Sequence, residues 1–414
     1  MQSRSPFSMP PQLLLVYLDS SDYSSLSDPR QQTDARQDIR SRLLKFASEG
    51  SVQYVFSGAN LSEMAPLAGK HPTAASLRAD LLVELCGRNA FVSFDKVIKA
   101  ELAKALERDA QPPDPISRSA DWFPELDDFM SPLEWADLAK AVDGEVTKRG
   151  LNREQRRKLK RQLFKSDRPS PAMRQWLQGQ SGASDYADIL RLYPMRPADA
   201  QVLGQYVLGV ASKEEAERAF LESLRDPRWM MRWFAAHSDK MTPVTEWLRG
   251  PARTMLKSMR ELADGAKRLR QLEADLGPSY RPELLTRHGW KSAQDELLQN
   301  IANRLLGHFH GAETLPIGGN DIDTFCPGLS TMVRSLHSSL WDAIAATPRE
   351  SLESDFVDAV HSIYAPYVDI FRADRYMAPH IRREATKHQS LVVSRLAELP
   401  EAIHAQLLVR AKGG

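Results

Sequence analysis

The chain has 414 residues, of which 42% are hydrophobic and 26% are charged. This ordinary globular composition excludes a disordered chain and predicts two or three lobes, each with a core of its own. The 55 lysines and arginines almost cancel the 54 aspartates and glutamates, which leaves a net charge of +1. Attraction to nucleic acid by the field of the whole protein is therefore excluded, and any such attraction must come from a local patch.

The cysteines and the N-terminus favour an intracellular protein. Cys86 and Cys326 are too few for a disulfide framework or a zinc cluster, which favours a reducing compartment. The first residues, MQSRSPFSMPPQ, lack the apolar stretch and cleavage site of a signal peptide, and no apolar run approaches the length of a membrane span. We therefore expect a cytoplasmic protein with no membrane partner.

Strand-like and helix-like stretches alternate between residues 13 and 94. The strand-like runs are LLLVYLD, VQYVFSG and AFVSF, and helical stretches such as DARQDIRSRLLKFASEG separate them. This alternation is typical of an α/β sheet covered by helices.

The middle of the chain has a different pattern from its ends. Between Leu102 and Ser351 the sequence shows helical periodicity, interrupted by proline and glycine, and it predicts an all-α region. Strand-like runs return in YVDIFRAD and SLVVSRLAEL. Because two strands alone are marginally stable and insertions into surface loops are tolerated, we predict one α/β domain with a parallel sheet, formed by residues 1–101 and 352–414, with residues 102–351 as a helical insertion.

Acidic residues follow the predicted strands. Asp19 comes directly after the first strand, Glu63 lies early in the helix after the second, and Asp374 lies just past VDIF. Asp355 and Asp358 occupy the helix before VDIF, and the spacing favours Asp358. Because ligands bind at the carboxyl ends of parallel strands, we expect these acids to converge there. Carboxylates in close contact require a cation, and oxygen ligands suit Mg²⁺ or Mn²⁺.

These stretches resemble the PIN domain, a metal-dependent ribonuclease fold. The first motif of that family matches YLDSSDYSSL, with Asp19 and Ser21, and its second acid matches Glu63 in FSGANLSEM. Its later acids match SDFVDAVHSIYAPYVDIFRADRYM, where Asp358 and Asp374 fit best. The final SLVVSRLAEL is similar to the last strand of that fold. The match rests on the order and spacing of these motifs.

The resemblance implies a nuclease that hydrolyses phosphodiester bonds, with RNA as the expected substrate. Under it, the ligands of Mg²⁺ or Mn²⁺ and the catalytic residues are Asp19, Glu63, Asp358 and Asp374. Ser21 is expected to orient a ligand or a water. Asp22 departs from the family pattern, which usually has an apolar or aromatic residue there, so it is either a further ligand or a helix cap. The additional candidate residues are Ser21, Asp22, Asp355 and Asp369.

Three further positions have two interpretations each. Asp19 is also a good residue to cap a helix. His361 lies one helical turn after Asp358 and could bond a ligand, although an isolated histidine on a helix is more often structural. Glu101 could be another acid of the site, but we expect it on a helix surface.

One segment is strongly basic. It is KRGLNREQRRKLKRQLFKSDR, residues 148–168, and on a helix it could hold RNA phosphates by releasing counterions. A solvated helix face or a surface for an acidic partner explains it equally well. The candidate nucleic-acid-binding residues are Arg153, Arg156, Arg157, Lys160 and Arg161.

Other classes of protein stay open as alternatives. The first is a catalytically inactive PIN-like protein whose helical insertion binds a protein partner or a second copy of the chain. A phosphotransferase with an aspartyl nucleophile usually has a second aspartate two residues later, where this chain has Ser21. A dinucleotide-binding enzyme is disfavoured because no G-x-G-x-x-G follows the first strand.

Overall fold

The computed structural model describes residues 13–65, 72–109, 111–117, 153–155, 157–158, 164–165, 168–170, 195–207, 211–236, 242–277, 282–283, 286–312, 318–343, 349 and 352–413. Contacts group the chain into two compact units. The first, called the sheet unit, comprises Met1–Met64, Leu81–Pro124 and Val244–Gly414, and the second comprises Ala65–Asp80 and Glu125–Pro243. The boundaries predicted from the sequence, 1–101, 102–351 and 352–414, stay a prediction.

The described strands are short. They are β1 (Leu14–Tyr17), β2 (Val52–Val55), β3 (Ala90–Phe91), β4 (Ile116–Ser117), β5 (Phe164–Lys165), β6 (Arg168–Pro169), β7 (Ile370–Arg372) and β8 (Leu391–Val393).

A four-stranded parallel sheet joins the two ends of the chain. Its order is β2-β1-β7-β8, so β1 pairs with a strand from the N-terminal part on one side and with a strand from the C-terminal part on the other. Val16 pairs with Tyr54 and with Ile370. The strands are almost continuously apolar because helices cover both faces of a parallel sheet. The prediction of an α/β sheet built from both chain ends is confirmed.

Helices make up most of the described remainder, and none of these described helices is long and apolar enough to cross a membrane. In the sheet unit the first described helices are α1 (Ser20–Ser27), α2 (Asp34–Ser48) and α3 (Gly58–Met64). They continue with α4 (Pro72–Cys86), which also reaches into the second unit, and α5 (Phe94–Glu107). The second unit contains α6 (Pro197–Val207), α7 (Lys213–Leu224) and α8 (Pro227–Ala236). The later helices are α9 (Thr242–Leu276), α10 (Arg287–His310), α11 (Gly319–Phe325), α12 (Pro327–Ala343), α13 (Glu353–His361), α14 (Ala378–Ala385) and α15 (Leu399–Gly413).

Local side-chain chemistry sets the helix ends in the second unit. The Ser212 hydroxyl accepts from the backbone N–H of Glu215, and the Glu215 carboxylate accepts from the N–H of Ser212, which forms a capping box at the start of α7. Asp199 of α6 accepts from Arg196 at 2.6 Å and from the Ser223 hydroxyl at 2.5 Å. This buried carboxylate fastens α6 to α7.

The predicted all-α region contains more than helices. Its described residues include β4, β5 and β6, each only two residues long. β4 pairs antiparallel with β3, and β5 pairs antiparallel with β6. Two residues are too few to show a strand periodicity in the sequence, so the description as all-α was wrong in this detail.

Stacked aromatic rings form the core beneath the end of β1. The Tyr17 ring lies parallel to that of Phe371, with centroids 5.2 Å apart, and Phe91 stacks on Tyr364 at 4.7 Å. All four side chains are buried, and they belong to β1, β3, β7 and the 3₁₀ turn that follows α13. The stack therefore joins segments from both ends of the chain.

Glu101 is buried, contrary to the expectation that it lies on a helix surface. It accepts from the backbone N–H of Gly328 at 2.6 Å and of Leu329 at 3.0 Å, at the start of α12, and from the Tyr367 hydroxyl. Burial raises the pKa of Glu101 to about 7, against the lowering effect of these hydrogen bonds. A Cβ on Gly328 would lie 2.7 Å from the carbonyl oxygen of Ile363 and 2.8 Å from a Glu101 oxygen, so glycine permits this close packing. Glu101 thus fixes α12 to α5.

Replacing Glu101 by alanine should lower the free energy of unfolding by about 3 kcal/mol, because two backbone N–H groups and a phenol lose their buried acceptor and a cavity forms. Urea unfolding measures the change. Glu107→Ala, at an exposed position of the same helix, is the control and should change stability by less than about 0.5 kcal/mol. Equal effects of the two variants would contradict this role for Glu101.

Candidate functional site

Asp19 occupies the point where β1 turns into α1. Its side chain accepts from the backbone N–H of Ser21 at 2.7 Å, while the Asp22 carboxylate accepts from the N–H of Asp19 at 3.2 Å. This reciprocal pair is a capping box. Asp19 is therefore a helix cap, as one interpretation held, and it also stands at the carboxyl edge of the sheet, the edge at which β1, β2 and β7 end.

Asn60 connects the end of β1 to the start of α3. Its side-chain amide donates to the Leu18 carbonyl and to the Ser20 hydroxyl, both at 3.2 Å, and its oxygen accepts from the N–H of Ser57 at 2.9 Å. The side chain is fully buried. Asn60 therefore joins the start of α3, the helix that contains Glu63, to the residues on either side of Asp19. This fixes the relative positions of Asp19 and Glu63.

Glu63 is held by a hydrogen-bonded row of side chains. Its carboxylate lies 2.8 Å from Nε2 of His361, whose Nδ1 lies 2.5 Å from the hydroxyl of Tyr17. The Tyr17 hydroxyl also lies 2.7 Å from that of Ser57. Burial raises the pKa of Tyr17 well above its usual value, so it stays a phenol. All the hydrogen bonds of this row can form when Nε2 of His361 carries the proton. That N–H then donates a hydrogen bond to the Glu63 carboxylate.

The two acids of α13 have different surroundings. Asp355 is buried and accepts from both terminal nitrogens of Arg349, at 2.7 and 3.0 Å, and from the backbone N–H of Leu352. The side chain of Asp358, one turn later, makes no hydrogen bond or ion pair with any described residue. Asp355 is therefore already neutralised, while Asp358 has both oxygens available, and this difference supports the choice that the spacing favoured.

Asp374 follows β7 by two residues and begins the turn that leads into α14. Its side chain accepts from the backbone N–H of Met377 at 2.5 Å. Burial raises the pKa of Asp374, and the negative charges of Asp19 and Asp355 raise it further, while the N–H of Met377 and the charge of Arg349 oppose the shift. Asp374 therefore lies within electrostatic range of acids from the other end of the chain.

The four predicted ligands interact with one another. Burial raises the pKa of Asp358 well above its usual value, and the charges of Asp19, Asp374, Glu63 and Asp355 add to the shift in that order. We call Asp19, Glu63, Asp358 and Asp374 the acidic cluster. A carboxyl group with raised pKa among like charges is typical of a functional site.

Asp22 lies beside the cluster in a different role. It is fully buried and pairs with Arg372, the last residue of β7, at 3.1 Å. Burial raises the pKa of Asp22 to about 7, and the charge of Arg372 opposes that shift. Asp22 thus fastens α1 to the neighbouring strand.

Two further candidate residues, Asp369 and Ser21, are not part of the acidic cluster. Asp369 precedes β7, at the amino edge of the sheet, where it accepts from the backbone N–H of Leu15 at 2.7 Å and from Arg410. The sheet therefore separates it from the acidic cluster. Ser21 donates its backbone N–H to Asp19.

The structure describes only part of the basic segment. Arg153 and Arg157 are exposed, whereas Arg156, Lys160 and Arg161 lie outside the described residues. Binding of nucleic acid by this segment stays a prediction.

The chemistry of the acidic cluster fits a hard divalent cation. It offers carboxylate oxygens, its least neutralised member is Asp358, and bringing these acids together in ionised form requires a positive charge. Among the described residues, no three acidic, histidine or cysteine side chains are already arranged as ligands of one ion. Binding would therefore require the side chains to rotate towards the cation, as expected for carboxylates that repel one another.

Comparisons with protein-family models, with curated proteins and with solved structures give no significant match. The case for a function therefore rests on the residues themselves.

Sequence reasoning missed the residues that hold the cluster in place. Asn60 and Ser57 bond reciprocally at the start of α3, and the spacing S-x-x-N was a local signal for this cap. Tyr17 gave no signal, because a tyrosine in an apolar strand is indistinguishable from a core residue. The bond between His361 and Glu63 joins residues 298 positions apart and could not be found from sequence.

Asp358→Asn should stabilise the protein in EDTA, by about 1 kcal/mol near pH 7, because it removes a carboxylate that the folded state keeps among like charges. Folding raises the pKa of Asp358 above its unfolded value of about 3.9. The wild type therefore loses stability as the pH rises above that value, and the advantage of the variant should grow with pH. Urea unfolding between pH 4 and pH 8 measures it.

The matched control is Asp355→Asn on the same helix. It should destabilise the protein by about 2 kcal/mol, because Arg349 loses its paired carboxylate. Destabilisation by both substitutions would contradict the assignment of Asp358 as the unneutralised acid.

Proposed function

We propose that this chain is a PIN-like, metal-dependent nuclease that hydrolyses phosphodiester bonds in RNA. The observation that carries the proposal is the convergence of acids from both ends of the chain on Asp358, whose side chain has no hydrogen-bond or ion-pair partner among the described residues. The order of the acids along the sequence and their place at the carboxyl edge of a parallel sheet support it.

The proposed cofactor is Mg²⁺ or Mn²⁺, held by Asp19, Glu63, Asp358 and Asp374. When bound, such a cation supplies Lewis-acid activation of a water and stabilises the charge that develops on the phosphodiester oxygens. The protein supplies the positions of the ligands, since the cap of α1 fixes Asp19, the backbone N–H of Met377 fixes Asp374 and His361 fixes Glu63.

Residues around the cluster keep the remaining charges in balance. Arg349 neutralises Asp355, and Arg372 neutralises Asp22, so neither acid competes for the cation. Asn60 and the row from Tyr17 through His361 orient Asp19 and Glu63 without taking part in bond cleavage. We assign them as positioning residues.

The proposed enzyme acts in the cytoplasm. Cys86 and Cys326 are both free and buried, as suits a reducing compartment. Burial raises the pKa of the Cys86 thiol to about 12, which keeps it unreactive.

One observation favours the alternative, an inactive PIN-like protein that binds a partner through its helices. Glu63 is engaged by His361, and the described acids are not arranged around one ion. The two experiments below separate this alternative from the nuclease.

Asp19→Asn, Asp358→Asn and Asp374→Asn should each lower the rate of RNA cleavage at least about a hundredfold, because each removes a charge that holds the cation. Labelled single-stranded and structured RNA, incubated with Mn²⁺, Mg²⁺ or EDTA, measures the rate. Asp38→Asn, at an exposed position of α2, is the matched control and should keep the wild-type rate.

Cleavage that persists in EDTA or in all three variants would contradict the assigned cluster. Absence of cleavage in the wild type, with intact folding, would contradict the nuclease proposal.

Mn²⁺ at about one hundred times its dissociation constant should raise the free energy of unfolding by about 2.7 kcal/mol through mass action. Thermal unfolding with increasing Mn²⁺ measures this effect, and Asp358→Asn should abolish it while Asp38→Asn leaves it intact. If Mn²⁺ leaves the free energy of unfolding of the wild type unchanged, the result supports the inactive PIN-like alternative.

A further inference from the structure

A second site lies in the sheet unit, away from the acidic cluster. It is a cavity of about 650 Å³ between α10, α12 and α14, a volume typical of small-ligand sites. None of the four residues of the acidic cluster lines it. We call it the tryptophan pocket after its two indoles, Trp290 and Trp341.

Aromatic rings form one wall of this pocket. The ring of Trp290 lies 5.3 Å from that of Trp341 and 4.3 Å from that of His337. Trp290 is 8% exposed, and its indole N–H has no hydrogen-bond partner among the described residues. The exposed part of Trp290 therefore adds ring surface to the pocket wall.

Ion pairs neutralise several of the charged residues that line the pocket. Arg334 donates to Asp295 at 2.6 Å and to Asp323 at 2.7 Å. Lys387 donates to Asp323 at 2.9 Å and to Glu384 at 2.5 Å. These five groups satisfy one another and are held in fixed positions.

Three exposed basic residues of the pocket lining carry positive charge at its rim. Arg287, Lys291 and Arg383 are exposed, and none of them pairs with a carboxylate among the described residues. Arg383 reaches only the hydroxyl of Ser338, at 3.4 Å. The pocket therefore combines an aromatic wall with unneutralised cations at its mouth.

The histidine in the pocket serves binding better than catalysis. His380 lies 2.9 Å from the hydroxyl of Ser338 and 3.2 Å from a carboxylate oxygen of Asp342, an order of residues that suggests a nucleophilic triad. Ser338 lies within α12, however, where backbone N–H groups are bonded inside the helix and cannot form an oxyanion hole. These contacts therefore hold His380 in place.

We propose that the tryptophan pocket binds a nucleotide. Its base would pack against the indoles of Trp341 and Trp290, and its phosphate would bind Arg287, Lys291 and Arg383. A plain anion would leave the aromatic wall unused, and a neutral apolar ligand would leave the cations unused. Stacking on an aromatic ring combined with phosphate binding by basic side chains is the usual recognition of nucleotides.

The nucleotide has two possible sources, a free mononucleotide or one residue of a bound strand. Tyr376 contacts a residue of the pocket and the arginine that pairs with Asp355. Its ring contacts that of His380 at 5.4 Å and lies under the guanidinium of Arg349, which pairs with Asp355. The proposal does not depend on nuclease activity, and the experiment separates the two sources.

Calorimetric titration of the Asp358→Asn variant in EDTA tests the proposal, since no cleavage of RNA interferes. Adenosine 5′-monophosphate should bind, and ribose 5-phosphate and adenosine should each bind at least about fivefold more weakly, because each lacks one half of the recognition. A six-nucleotide RNA that binds more tightly than the mononucleotide assigns the site to a strand, and one that binds no more tightly assigns it to a free nucleotide.

Trp341→Ala and Arg287→Ala, added to that variant, should each weaken adenosine 5′-monophosphate at least about fivefold. Lys45→Ala, at an exposed position of α2, should leave the affinity unchanged. Arg287 is exposed, so its loss should leave the fold intact even if Trp341→Ala disturbs the packing. No detectable binding of adenosine 5′-monophosphate at millimolar concentration, or equal affinity in Arg287→Ala, would overturn the proposal.

Discussion

Repulsion among carboxylates at the carboxyl edge of the sheet is the constraint on which the proposed site depends. Asp19 and Glu63 come from the first 65 residues, whereas Asp358 and Asp374 come from the last 65. The pairing of β1 with β7 brings them to one edge, and the aromatic stack beneath Tyr17 fixes that pairing. Packing of the core therefore stabilises an arrangement that electrostatics opposes.

A separate interaction offsets the repulsion at most of these acids. A helix cap holds Asp19, the backbone N–H of Met377 holds Asp374, His361 holds Glu63, and Arg349 neutralises Asp355. Asp358 alone among these acids has no such partner within the described residues. A divalent cation would complete the compensation, which is why the proposed cofactor follows from the charges and not from any single motif.

The strands and their acids could be predicted because they follow local rules. Apolar runs of β1 and β7 identify strands, and the position just after a parallel strand identifies Asp19 and Asp374. Glu101 could not be placed correctly, because its partners in α12 lie 227 and 228 residues away. The tryptophan pocket was missed for the same reason, since Trp290, Trp341 and His380 meet only after three helices pack.

The most direct test of the account is a crystal structure with bound Mn²⁺, located by its anomalous scattering. The account predicts an anomalous peak at the carboxyl edge, about 2.2 Å from oxygens of Asp358 and of at least one of Asp19 and Asp374. A structure without a peak among these carboxylates at saturating Mn²⁺, or with Mn²⁺ bound only elsewhere, would contradict it.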